Sequence, residues 1–362
     1  MQKKVYAIVI AAIWGLLAFS QLLLPDGTTS DTERRPLTQM PNLTLETLVD
    51  GSFMEDFDKY TLDQFPMRDR FRTLKSLFHY NVLGQKDNND IYIAQGNAVK
   101  QEYPLDESSV DYAVARFTYL YEKYLKDSNV YFAIVPDKGY YLAEAAGQLT
   151  MDYEKMFARF REEMPWVKQI DLTQTLSAES YYRTDTHWRQ ETLIPVAQVI
   201  CNAMGVASPS VEELTASEVS QSFYGVYYGQ AALPMKPDTL HLLKSDMLAE
   251  CSVYDYESGK TVGIYDMEKL SGKDMYEVYL SGPRSLLTIE NPNAGTDREL
   301  ILFRDSFGSS IAPLLIADYA KITLVDIRYI QIDVLDRFLE FDKQDILFLY
   351  STLVLNNSET IK

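Results

Sequence analysis

Short apolar runs that alternate with helix-like patterns set the strongest limit on how this chain can fold. Glu299 to Arg304 (Glu-Leu-Ile-Leu-Phe-Arg), Ile322 to Val325 and Ile346 to Leu349 are separated by helical patterns over about 307–319 and near 331–340. Val130 to Val135 (Val-Tyr-Phe-Ala-Ile-Val), stopped by Pro136, has the same character and follows a helical pattern marked by Val110, Val114, Phe117, Tyr121 and Tyr124. Ile91 to Ala94 and Gln169 to Leu172 read as further strands. Strands that are apolar throughout, with helices between them, describe a sheet covered on both faces. The fold class read from the sequence is therefore α/β, with a mostly parallel sheet flanked by helices.

Lys3 and Lys4 precede Val5 to Leu24, a run of 20 residues without charge. Such a run matches the ~30 Å hydrocarbon core at roughly 1.5 Å per residue. A cleaved signal peptide is the alternative, but its apolar region is shorter and ends in small residues. Here the run closes on Leu22-Leu23-Leu24-Pro25, so an uncleaved signal anchor over 1–25 is expected. The positive-inside rule then leaves everything after residue 25 outside the cytoplasm. The net charge of −18 repels phosphate backbones and argues against nucleic acid as a partner. Cys201 and Cys251 are free to pair in an oxidising compartment or to stay apart, and their spacing does not decide.

After the anchor, residues 26–43 read as a linker and 44–85 as a helical lead-in. In the lead-in, Phe53, Phe57, Tyr60 and then Phe71, Leu74, Leu77 and Phe78 recur at three- and four-residue steps. Residues 86–362 form the main domain, with an irregular insertion at about 206–298.

Two motifs 119 positions apart carry the chemistry: Asp185-Thr186-His187-Trp188 and Arg304-Asp305-Ser306-Phe307. Ser306 lies where an apolar strand hands over to a helix, at the carboxyl edge of a parallel sheet, where α/β proteins place their sites. Helix-start amides are expected beside its hydroxyl, ready for a developing oxyanion. His187 can take a proton on Nε2 while Asp185 holds Nδ1–H, and Trp188 supplies an apolar wall. The competing reading makes Asp185, Asp305 and Ser306 helix caps, a routine role for these residue types. His79 and His241 read as structural or solvated. No metal-ligand spacing and no cofactor motif is present.

Asp185-Thr186-His187-Trp188 followed by a strand ending in Asp305-Ser306-Phe307 resembles the DHHW family and the related SGNH-like domains of alginate O-acetyltransferases. The resemblance extends to Glu33-Arg34-Arg35-Pro36-Leu37, Gly51-Ser52-Phe53, Asp63-Gln64-Phe65-Pro66-Met67-Arg68, Val135-Pro136-Asp137-Lys138 and Val325-Asp326-Ile327-Arg328-Tyr329. It implies an SGNH-hydrolase-like catalytic domain with Ser306 as nucleophile, His187 as base and Asp185 as its orienting partner. Arg304 stands where the alginate enzymes have glycine. Trp188, Arg304, Lys138 and Arg328 are the expected substrate-side residues.

The function expected on this basis is O-acetylation of a cell-surface polysaccharide, outside the cytoplasm of a bacterial cell. A membrane-bound O-acyltransferase is the implied acetyl donor. An esterase using the same three residues, and a non-catalytic surface or assembly protein on an SGNH-like scaffold, are the alternatives.

Overall fold

The computed structural model describes residues 2–342 and 344–362. Two compact units emerge, one running to Asn89 and including Tyr228–Met235, the other comprising Asp90–Tyr227 and Lys236–Lys362.

The first unit begins with α1 (Gln2–Leu23), in which Lys3–Leu23 is long and apolar enough to cross a membrane, a property signal sequences share. Two further helices follow, α2 (Ser52–Asp63) and α3 (Arg68–Asn81), together with a short helical turn at Leu45–Val49. The segment read as a linker is held by a buried carboxylate. Asp63 receives two bonds from the Arg35 guanidinium at 2.6 and 2.8 Å, and the Thr38 amide and hydroxyl at 2.9 and 3.0 Å. The bonded guanidinium keeps the Asp63 carboxyl well below the usual carboxylate range, despite its burial.

The second unit is organised by eight strands: β1 (Val130–Val135), β2 (Lys168–Ile170), β3 (Ser252–Asp255), β4 (Lys260–Val262), β5 (Leu286–Glu290), β6 (Glu299–Arg304), β7 (Lys321–Val325) and β8 (Asp345–Ser351). Their spatial order is β4-β3-β5-β7-β6-β8-β1-β2. The strands from β7 to β2 run parallel, while β5, β3 and β4 extend the β7 edge antiparallel. The residues of β1 show why both faces are apolar. Tyr131, Ala133 and Val135 enter a core shared with α6 (Ile194–Met204) and α7 (Gly308–Leu315). Val130, Phe132 and Ile134 enter the opposite core, shared with α4 (Glu107–Leu120) and α5 (Tyr153–Glu163). A period of two with apolar residues at every position leaves no polar face, so helices must cover both sides.

The large, mostly parallel sheet agrees with the α/β reading, and β6 follows the apolar run residue for residue. Other expectations need correction. Ile91–Ala94 is a strand, but it pairs with Asn97–Lys100 in a separate three-stranded sheet. The helix expected near 331–340 is a single 3₁₀ stretch, Ile332–Arg337. The helix after Ser306 ends at Leu315 and tightens into a 3₁₀ turn. The stretch 206–298 supplies the antiparallel strands β3, β4 and β5, and also a hairpin of Thr215–Phe223 with Asp238–Lys244. That hairpin's first strand is largely solvated and bulged, so it carries no apolar run to read. Cys201 and Cys251 are buried and free, and burial pushes their thiols up to about 12 and about 11.

Phe117 on α4 packs its ring against Phe132, Phe160, Phe348 and Tyr350 at centroid distances of 5.0–6.4 Å. Phe117→Ala should lower unfolding stability by about 3–5 kcal/mol through lost burial and the cavity left behind. Urea denaturation followed by tyrosine and tryptophan fluorescence checks this.

Candidate active site

Each residue of the Arg304-Asp305-Ser306-Phe307 turn has a separate task. Asp305, fully buried, accepts the Phe307 amide on Oδ1 at 3.0 Å and the Ser351 amide on Oδ2 at 2.8 Å. Because Ser351 ends β8, this carboxylate fastens the turn after β6 to the neighbouring strand. Arg304 is buried beneath α7, with its guanidinium 3.6 Å from Asp326 and reaching the Arg284 carbonyl. A Cβ on Gly308 would lie 2.6 Å from Arg304 Cβ, so only glycine allows this packing. Ser306, half-buried, is left at the sheet edge.

The first amides of α7 are not free for an oxyanion, contrary to the sequence expectation. Phe307 and Gly308 donate to the side chain and carbonyl of Asp305, and Ser309 donates to the Ser306 carbonyl. Of the three residues offered as caps, Asp305 alone takes an amide on its side chain at the start of α7. The N-cap of α7 is Phe307 and that of α6 is Leu193, with Pro195 in the first turn. Neither Ser306 nor Asp185 caps a helix.

His187 spans the two motifs. Its Nδ1 is 2.6 Å from Asp185 Oδ1 and its Nε2 is 2.8 Å from Ser306 Oγ. A carboxylate only accepts, which places the proton of a neutral imidazole on Nδ1 and leaves Nε2 to accept the Ser306 hydroxyl. Asp185 is fully buried and is held on both oxygens. The His187 amide donates to Oδ1 at 3.0 Å and the Val226 amide to Oδ2 at 2.9 Å. A Cβ at Gly225 would fall 2.3 Å from Asp185 Cα, so a glycine is required where the 225–226 backbone passes.

The segment carrying Asp185 and His187 is irregular, and side chains do the work that a helix or strand would otherwise do. Asp238 accepts the Arg183 and Thr184 amides at 3.0 and 2.8 Å and the Thr184 hydroxyl at 2.6 Å. Thr184 Oγ1 in turn accepts the Gly225 amide. Lys138 donates from Nζ to the Tyr182 carbonyl at 2.9 Å and lies over the Tyr227 ring at 5.2 Å. Burial pushes the Lys138 amine down to about 7, although Asp185, Asp238 and Asp137 pull the other way.

The imidazole is also held by its faces. Tyr276 stacks on it at 3.8 Å with an interplanar angle of 8°, and Phe307 lies 5.2 Å away. Tyr276 Oη is 2.8 Å from Ser310 Oγ, which accepts Trp188 Nε1–H at 2.8 Å. Trp188 also donates to the Phe307 carbonyl at 3.2 Å. Gln190 donates to the Ser310 carbonyl and accepts the Leu243 amide. Ser310, on α7 one turn after Ser306, thus ties the His187 segment to the Ser306 helix.

The structure brings Ser306, His187 and Asp185 together. Of the expected substrate-side residues, Trp188, Arg304 and Lys138 are buried against protein partners. Arg328 is partly buried, with its guanidinium on the Asp326 carboxylate at 2.7 and 2.9 Å. Burial opposes the Arg328 charge, but the bonded carboxylate wins and holds its pKa above the ordinary value. Asp238, Gly225, Tyr276 and Ser310 went unread in the sequence. Only Gly225, a glycine inside a tyrosine-rich stretch, gave any local sign of a close approach. Among the described residues, no group of three or more His, Cys, Asp or Glu is placed to hold a metal ion.

Fold and site together define an α/β protein with a serine, a histidine and an aspartate gathered at the carboxyl edge of a parallel sheet. Solved structures with this fold include a DHHW family protein from Eubacterium siraeum, at 22% identity over 76% of this chain and 95% of that one, with a TM-score of 0.63. They also include Bacillus cereus PatB1, at 19% identity over 75% and 98%, with a TM-score of 0.61. PatB1 has also been solved with a sulfonyl adduct, at 18% identity over 73% and 97% and a TM-score of 0.58. At these identities the likeness establishes the shared fold, and it agrees with the DHHW resemblance carried by the short motifs. No family model matches the chain, and no curated protein matches it.

Lys138 makes folding stability depend on pH in a defined sense. Below about 7 the amine is charged in both states. Between there and about 10.4 only the unfolded chain keeps the proton. Stability of the native chain should therefore rise relative to Lys138→Met across that window and be level below it. Paired urea titrations from pH 6 to about 10 would read the difference.

Proposed function

We propose that the chain is an extracytoplasmic O-acetyltransferase acting on hydroxyls of a cell-surface polysaccharide, with Ser306 as nucleophile, His187 as general base and Asp185 as its orienting carboxylate. The observation that carries this reading is the continuous hydrogen-bonded path from Asp185 Oδ1 through the imidazole to Ser306 Oγ, at 2.6 and 2.8 Å. In this reading His187 Nε2 takes the Ser306 proton as Oγ attacks the acetyl carbonyl of the donor. The same nitrogen returns the proton to the leaving group. In the second half a sugar hydroxyl loses its proton to Nε2 and attacks the acetyl-serine, and as the intermediate collapses Nε2 gives that proton to Oγ, which releases Ser306. Asp185 stays ionised throughout and stabilises the imidazolium in each half. Tyr276 presents its ring face to that transient cation, an attraction of about 0.5–2 kcal/mol.

Two further observations support the reading. PatB1 shares the fold and has been solved with a sulfonyl adduct. The apolar α1 fits an anchor that leaves the site outside the cytoplasm. Acetyl donors of the coenzyme type are charged and do not cross a bilayer unaided, so this reading calls for a membrane partner that passes the acetyl group outward, a role in which the DHHW resemblance implies a membrane-bound O-acyltransferase. Arg328 is the one expected substrate contact that keeps some exposure, whereas Arg304, Lys138 and Trp188 are buried.

The full-length protein should form a mass adduct on Ser306 with a fluorophosphonate and an acetyl adduct with an activated acetyl ester. Ser306→Ala and His187→Ala should abolish both, and Asp185→Asn should slow labelling by about 10³–10⁴-fold. An unlabelled native protein, beside a serine esterase that labels, would sink the reading. Rapid loss of the acetyl adduct to water, unaltered by added polysaccharide, would make the protein an esterase instead.

Tyr276→Leu should slow Ser306 labelling by about tenfold while Tyr276→Phe, which keeps the stacked ring, stays within about threefold. Intact-mass kinetics on both variants measures this directly.

A further inference from the structure

In the first unit, α3 is built inside out. Ser76 is buried and accepts the Asn88 side-chain amide at 2.8 Å, while Arg72 reaches the Gly229 carbonyl at 2.9 Å and Glu33 at 3.1 Å. The polar face is thus the one turned inward. The outward face carries Phe71, Leu74 and Phe78, continued by Met67 and Val82 at the two caps. These five residues step by four, three, four and four positions, and are between 39% and 65% exposed. An ordinary surface helix has the reverse arrangement. At 100° per residue, the exposed Arg70 and Lys75 fall one on each side of the stripe. The helix carries four cations, Arg68, Arg70, Arg72 and Lys75, against the single anion Asp69, within a chain of net charge −18.

The neighbours of α3 say what this face meets. Gln21, in the last turn of α1, reaches the Thr61 carbonyl at 3.4 Å. Tyr60 donates to Asp26 at 3.0 Å, and the Gly27 amide donates to Gln64 at 2.8 Å. The end of α2 is therefore pinned to the chain as it leaves α1, and the stripe opens at Met67, three residues beyond Gln64. Every described side chain in the window of α1 that could span a bilayer is unburied by protein.

We propose that α3 lies in the interfacial layer of the membrane that holds α1, with the Phe71–Leu74–Phe78 stripe at the acyl boundary and Arg70 and Lys75 among anionic phospholipid headgroups. Apolar insertion flanked by cations is the usual design of an in-plane helix. Long basic side chains reach up to headgroup oxygens while their stems stay in the apolar layer. The proposal rests on the membrane reading of α1 and is independent of the chemistry at Ser306.

The test uses the full-length protein in vesicles of phosphatidylcholine with phosphatidylglycerol, carrying a fluorophore on Leu74→Cys, Phe78→Cys, Ser258→Cys or Ala11→Cys. Both native cysteines are buried, so labelling goes to the introduced site. A nitroxide placed shallow on the lipid chain should quench positions 74 and 78 at least about twofold more than position 258, with aqueous iodide showing the opposite order. Quenching at 74 and 78 should weaken when phosphatidylglycerol is withdrawn. With the probe at Val82→Cys, adding Leu74→Glu and Phe78→Glu should abolish the lipid quenching; both sites are exposed, so the fold is spared. Iodide access at 74 and 78, or shielding from both quenchers, overturns the proposal; the second result means a protein surface covers the stripe. Position 11 reports α1 separately: if deep nitroxides fail to quench it, the anchor reading falls and takes the proposal with it.

Discussion

The arrangement at Ser306 depends on one buried carboxylate. Asp305 gives one oxygen to the Phe307 amide and the other to the Ser351 amide, so the turn after β6 and the end of β8 are held by the same group. A buried anion without donors would cost far more than a neutral group, which makes both amides obligatory partners. Ser306 is the residue left at the edge once Asp305 has pointed inward. The parallel pairing of β6 with β8 brings those strand ends level, so the sheet register is translated directly into the position of the hydroxyl.

The other half of the site uses the opposite strategy. Residues 182–188 have no ladder or helix to hold them beyond an isolated bridge from Tyr181 to Trp188. Their shape comes from Asp238, Lys138, the 225–226 backbone and the Tyr227 hydroxyl, all reaching in from elsewhere in the sequence. Lys138 illustrates the cost of this. Its amine is fully buried to satisfy backbone carbonyls, and it titrates near neutrality as a result. The neighbouring charges of Asp185, Asp238 and Asp137 offset part of that penalty but not all of it.

The parts that could be read from sequence are those whose signal is local. The Leu300 to Phe303 run is apolar at every position because both faces of β6 are covered, so its bounds were plain. Asp185, His187 and Ser306 could be read as a set because few residue types perform proton transfer and the chain has only three histidines. Tyr276 could not be read, being one of 26 tyrosines whose role comes solely from where the 206–298 stretch folds back. Asp238 was hidden among 52 acidic residues for the same reason. The strands β3 and β4 were obscured because they are short and exposed at one or more positions, so no continuous apolar run marks them. The expected oxyanion donors failed for a local reason, as the Asp305 turn uses those amides to close itself.

The Asp305 clamp also sets an order of events during synthesis. Ser306 and both residues that approach it are made well before Ser351, yet the platform beneath Ser306 lacks its second anchor until β8 has been added. A ribosome delivers the chain from its N-terminus, so the Ser306 turn gains both of its anchors only when nearly all of the polypeptide is available to fold. A nascent chain paused short of residue 351 would carry Asp185, His187 and Ser306 without the second amide that fixes the turn beneath the Ser306 hydroxyl.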